Sequence, residues 1–178
     1  RWDIRYGFLR KSQIFKASDF MQMKQPGKHC RGICKLQHTC SLGGTMDEMR
    51  KELLSALGYS DKAIHLLDTE LHYGVMENPT VHVKHQAGCG DVLFLSLDLD
   101  GELIRDAAFQ FVGCSGLQSS ASALTEMIIG KRIPEVEGIR MIDVVKWLEG
   151  IPENKYECAE AASITLRKAI EHWREMQN

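Results

Sequence analysis

An α+β fold, with a three-stranded antiparallel meander and helices packed on one face, is predicted by three observations. The strand-like stretches come in one run: VHVKHQ (81–86), VLFLSLDL (92–99) and ELIRDAAFQFV (102–112). The helix-like stretches lie before and after that run rather than alternating with it, which argues against a parallel sheet. Asp100-Gly101 separates the second and third strands with the composition of a tight hairpin turn.

The elements follow in order. Thr45 and Glu48 have capping-box spacing, which predicts a helix over 46–57 with Met46, Met49, Leu53, Ala56 and Leu57 on one face and Gly58 ending it. Ser60 is suited to cap a second helix running to about Leu71, stopped near Gly74. The three strands come next, and Asp100-Gly101 predicts a type I′ turn, which needs positive φ at both central positions. LQSSASALTEMIIG (117–130) reads as a helix with small residues early and apolar ones later. GIRMIDVVKWLEG (138–150) is amphipathic and ends at Gly150, with Pro152 beyond. A long last helix runs from Glu157 to about Met176. Ala162, Thr165, Leu166, Ala169, Ile170 and Trp173 form its apolar stripe.

Residues 1–45 differ from the rest. They are basic, carry Pro26-Gly27 and Gly43-Gly44, and show no sustained period, so they read as an appendage to a domain over 46–178. Composition narrows the function classes. The chain is 44% hydrophobic and 26% charged, as globular proteins are. A formal net charge of −2 gives no global field for nucleic acid. No apolar run approaches the roughly 18 residues that a membrane span needs. The stretch RWDIRYGFLRK lacks the apolar core of a secretory signal. Six cysteines in 178 residues are too few for a disulfide-built fold, so a cytoplasmic protein with reduced thiols is expected.

Three of those cysteines fall at element junctions. Cys89 lies in GCGD (88–91), between two glycines and two residues before Asp91. Cys114 follows the hairpin and precedes a helix, and Cys158 opens the last helix. Helix N-termini favour anions, so thiolates are expected at Cys114 and Cys158. A lone cysteine is commonly just a small buried hydrophobe. Three at junctions, one beside an aspartate, point instead to a shared site, although the spacing is not that of a local zinc ribbon.

At these residues the sequence resembles a family. MENPTVHVKHQAGCGD (76–91), LDLDGELIRDAAFQFVGC (97–114), SSASALTEMIIGK (119–131) and IPENKYECAEAASITLRKAI (151–170) are similar, in order and spacing, to the IscU/NifU-type iron–sulfur cluster assembly scaffolds. The resemblance covers roughly 59–175. It implies the IscU/NifU-like scaffold fold and a carrier rather than an enzyme. It implies that Cys89, Asp91, Cys114 and Cys158 surround a transient [2Fe–2S] cluster, built from iron and from sulfur supplied by a cysteine desulfurase and passed to apo iron–sulfur proteins. Zinc is a further ion for such a site in the isolated protein. Thiolates suit iron–sulfur chemistry, whereas a carboxylate is a harder and weaker donor, so the aspartate keeps the hold provisional.

Two positions depart from the IscU pattern. IscU-type members carry a His just before the last cysteine, where this chain has Glu157, either an oxygen donor or a first-turn acid complementing the helix dipole. The LPPVK chaperone-recognition segment is replaced by Ile151-Pro152-Glu153-Asn154-Lys155, which argues against recruitment of an Hsp70-type chaperone. Both point to a divergent or NifU-like branch.

The resemblance does not reach KHCRGICKLQHTC (28–40). Its His29, Cys30, Cys34, His38 and Cys40 are either ligands of a second metal or incidental residues of the appendage. Two rivals to the scaffold stay open: a zinc protein with a permanently filled Cys89/Asp91/Cys114/Cys158 site, and a thiol sulfurtransferase that accepts persulfide sulfur.

Overall fold

The structure, a computed structural model, describes residues 44–177, with side chains from Glu48 onward. The appendage and its His29, Cys30, Cys34, His38 and Cys40 lie outside the described residues. Ser41–Asn178 form one compact unit. In chain order it runs α1 (Gly44–Ala56), α2 (Asp61–Thr69), β1 (Val81–Gln86), β2 (Val92–Asp100), β3 (Leu103–Val112), α3 (Ser115–Ile128), α4 (Ile133–Val136), α5 (Met141–Trp147) and α6 (Tyr156–Gln177). The sheet order is β1-β2-β3, an antiparallel meander, so the architecture is α+β as the order of elements predicts.

Register fixes the two faces of the sheet. Val81 pairs with Leu97, Val83 with Leu95, and Leu95 with Phe109. Side chains of paired residues share a face, so Val83, Leu93, Leu95, Leu97, Ala107 and Phe109 point to one side, and most of them are fully buried. On the other side His82 stacks on Phe94, with ring centroids 6.0 Å apart. The helices cover the apolar face: α6 lies across β1 and β2, and α3 packs on β3. Twelve of the 14 residues of α3 are buried. Its serines and alanines let the sheet, α2, α5 and α6 all approach it closely. The outer edge of β3 is closed at two points. Gly74 N–H donates to Phe109 O (2.9 Å) and Ile104 N–H to Lys131 O (2.9 Å).

The structure departs from expectation at four places. First, α1 begins at Gly44, which puts Thr45 inside the first turn rather than before it. Its expected apolar face is not the buried one. Met49, Leu53 and Leu57 are 57%, 60% and 64% exposed, and Leu54 is the residue it buries. The helix packs mainly on α2, so most of its apolar period meets solvent. Second, the hairpin turn is shifted by one residue. Asp100 pairs with Leu103, so Gly101 and Glu102 form the loop, and only Gly101 has positive φ (58°). That fits a type II′ turn, with glycine first, rather than type I′. A register shift after Asp98 absorbs the extra residue on β3. Third, α2 stops at Thr69, where Glu70 takes a left-handed conformation. Fourth, α4 is a one-turn helix with Pro134 in its first turn, too short to show a period. Ser60 caps α2 as expected, accepting from Ala63 N–H at 3.0 Å. The stripe of α6 is buried, with Trp173 at its half-buried end.

Candidate metal centre

The site lies where β2, β3, α3 and α6 begin or end. Cys114 is the N-cap of α3, in extended conformation (φ −93°, ψ 169°). Its carbonyl accepts from Leu117 and Gln118 N–H, whereas its side chain caps nothing. The thiol is therefore available to turn towards α6. Cys158 is the third residue of α6, just after a 3₁₀ turn at Glu153–Lys155. The two sulfurs stand 3.5 Å apart in a hydrogen bond.

Asp91 completes a group of three. One carboxylate oxygen of Asp91, Cys114 Sγ and Cys158 Sγ all lie within 4.8 Å of one another. Ligand atoms about 2.3 Å from a tetrahedral ion stand about 3.8 Å apart. The cluster therefore has the size of one metal's donor set, reached by small side-chain rotations. Asp91 Oδ2 also accepts from Cys114 N–H at 3.3 Å, at the positive end of α3.

Cys89 stands apart from this group. The loop holding it is closed by Ala87 N–H to Asp91 O (2.8 Å) and Gly90 N–H to Ala87 O (3.0 Å), with Gly90 at φ +94°. Its thiol is exposed and opens on a cleft of about 560 Å³ lined by His85, Glu157 and Glu160. Glu157 thus shares a cleft with Cys89 and is not among the three clustered donors. Lys168 Nζ lies 3.0 Å from His85 Nδ1. Burial and that ammonium hold the imidazole pKa below its ordinary value, so Lys168 donates to a neutral ring.

Helix N-termini do not decide the ionisation of Cys158, contrary to the sequence expectation. Its pKa is pushed up from 9.0 to about 12. Burial is the largest cause. The hydrogen bond to Cys114, the charge of Cys114 and that of Asp91 add to it, and Lys155 alone works against it. In the metal-free protein Cys158 therefore keeps its proton, and the two sulfurs share one hydrogen bond.

Three residues missed by sequence reasoning shape the site. Tyr59 is buried, and its phenol pKa is pushed up to about 12 by burial and by Cys114 and Cys158. Lys155 lays its stem over α3, where a Cβ on Gly116 would stand 3.0 Å from it. Gly113 leaves room for the Asp91 carboxylate. All three contacts are non-local, and nothing in the local pattern around these residues signals them.

Fold and donor group together define an α+β protein in which two thiols and a carboxylate that could hold a metal ion meet at helix N-termini. Residues 58–178 match the NifU-like N terminal domain, more than half of the chain, and the chain belongs to that family. It is 34% identical over 125 residues to nitrogen fixation protein NifU of Nostoc sp., covering 65% of this chain and 42% of that protein. It is 30% identical over 119 residues to the iron-sulfur cluster assembly scaffold protein IscU of Escherichia coli K12, covering 64% of this chain and 92% of that protein. The chain thus spans less than half the length of the NifU relative. Among solved structures, a NifU-like protein (N-terminal) from Brucella abortus matches with TM-score 0.57 and 16% identity, covering 65% of this chain and 94% of that one. A SUF-system scaffold protein from Fervidobacterium islandicum, so described, matches with TM-score 0.54 and 23% identity, covering 63% and 96%. These two likenesses establish the fold. Among the described residues, no helix is long and apolar enough to cross a membrane.

Proposed function

We propose that this protein is a scaffold on which an iron–sulfur cluster is assembled and from which it is passed on. The observation that carries this reading is the grouping of Asp91, Cys114 and Cys158 within 4.8 Å, beside an exposed Cys89 on a glycine-flanked loop. Soft thiolates suit iron–sulfur chemistry, and the carboxylate makes one contact weaker than the rest. Cys89 supplies the fourth contact when its loop closes, which Gly88 and Gly90 permit. A permanently filled structural zinc site keeps its ligands converged and closed. Three converged donors and one exposed thiol favour a site that fills and empties.

The cargo is a [2Fe–2S] cluster, its sulfur drawn from a cysteine desulfurase and its acceptors apo iron–sulfur proteins, in the cytoplasm. Similarity to a relative named as an iron-sulfur cluster assembly scaffold protein supports this. Residues 46–178 are the working domain.

Anaerobic reconstitution with iron and sulfide, followed by absorption and Mössbauer spectra, tests the reading. A brown, labile protein is expected, and Ser in place of Cys89, Cys114 or Cys158 abolishes retention. A colourless protein holding one zinc that resists exchange would overturn it. Asp91→Ala is expected to assemble a cluster on three thiolates and release it more slowly to an apo-ferredoxin. Faster loss would remove the lability role from Asp91.

A further inference from the structure

We infer that Gly113 is a positioning residue of the site: its missing side chain is the space in which the Asp91 carboxylate is held against the first turn of α3. The observation is steric. A Cβ built on Gly113 would stand 2.6 Å from Asp91 Cγ, 2.7 Å from its Oδ2 and 3.0 Å from its Cβ. Any residue but glycine collides there with the group that reaches Cys114 and Cys158.

Asp91 cannot give way through its backbone. Its own carbonyl is held by Ala87 N–H, and Val92 after it pairs with Val112. The carboxylate yields only by rotating about χ1, away from Gly113. That rotation breaks its hydrogen bond with Cys114 N–H and takes it out of the donor group. Gly113 itself has φ outside the left-handed region, so alanine there carries no backbone strain of its own. The glycine is required by Asp91 and not by the local turn. This rests on the reading of Asp91 as the weaker, carboxylate contact of the site, and it names the residue that places it.

The test compares Gly113→Ala, Asp91→Ala and the double variant in the metal-free full chain. The first readout is hydrogen exchange at the Cys114 amide, which Asp91 protects. Exchange at that amide is expected to rise about tenfold in Gly113→Ala and equally in Asp91→Ala, with no further rise in the double variant. Amides deeper in α3 stay as in the parent. The second readout is transfer of a reconstituted cluster to an apo-ferredoxin, which all three variants slow alike. Cys114 protection left intact in Gly113→Ala overturns the inference, and so do additive effects, which a merely structural role produces. If Gly113→Ala fails to fold, the clash predicts that Asp91→Ala restores folding in the double variant. A double variant that stays unfolded also overturns it. If amide exchange moves as expected but Asp91→Ala transfers at the parent rate, the placement of Asp91 by Gly113 stands and its proposed role in release falls.

Discussion

On the proposed scaffold reading, metal uptake should be coupled to the proton on Cys158. In the metal-free site the Cys158 thiol is pushed up from 9.0 to about 12, chiefly by burial, and it shares a hydrogen bond with Cys114 across 3.5 Å. At pH 7 it therefore keeps its proton almost completely. A metal takes the thiolate, so that proton must leave on binding. Each proton released makes the apparent affinity rise about tenfold per pH unit, equivalent to about 1.4 kcal/mol. Between pH 6 and 8, then, Cys158 alone contributes about a hundredfold to zinc affinity. Calorimetric titration with zinc, in buffers of different ionisation enthalpy, counts the protons directly. The parent is expected to release about one more proton per ion at pH 7 than Cys158→Ala does, and its affinity should climb more steeply with pH by the same amount. Equal proton counts in parent and variant would refute the assignment of a protonated, buried Cys158 to the site.

The remaining expectations concern stability. Because the folded pKa values of Cys158 and Tyr59 are raised, both groups favour the folded metal-free protein below their ordinary values and lose that contribution as pH rises towards about 12. The urea midpoint should hold steady to about pH 8.5 and fall above pH 9. Cys158→Ala should lessen the fall. Phe109 is fully buried and edge-on to Tyr73 at 5.8 Å, so Phe109→Ala should cost about 3–5 kcal/mol in urea denaturation. A cost below about 1 kcal/mol would mean that the β3 edge is not packed as described. Ser120 is fully buried with no partner for its hydroxyl among the described residues, whereas Ser122 Oγ donates to Leu71 O at 3.3 Å. Ser120→Ala should be neutral or stabilise by about 1 kcal/mol, and Ser122→Ala should destabilise.

Sequence legibility followed the range of the forces involved. The strands and α6 were legible because alternation and the 3.6-residue period are local signals of a buried face, and β1 falls on 81–86 as expected. The face of α1 was not, because Met49, Leu53 and Leu57 have the right period but no layer of the described fold covers them. The hairpin was legible in place and not in type, since the shift after Asp98 depends on how β2 and β3 pair. At the site, the junction positions of Cys114 and Cys158 were legible. Their electrostatics were not: a helix N-terminus lowers a thiol's pKa only while water or a cation shares the charge, and Cys158 is sealed under α3 and beside a second sulfur.

The separation of Cys89 from the other three donors changes what the glycines of GCGD do. Read from sequence alone, they bend the loop so that thiol and carboxylate meet at one metal. In the folded chain Gly90 instead sends the two side chains apart. Gly90, at φ +94°, turns the chain so that Asp91 enters the site while Cys89 points out into the cleft with His85, Glu157 and Glu160. The carboxylate is held from the far side by the Cys114 N–H and by the space at Gly113. Asp91, the hard oxygen group, is thus the fixed member of the pair, and Cys89, the soft one, stands at the solvent face. On the scaffold reading, Cys89 is the ligand whose arrival closes the site and whose departure opens it. Asp91 is the contact that keeps the opened site from holding on.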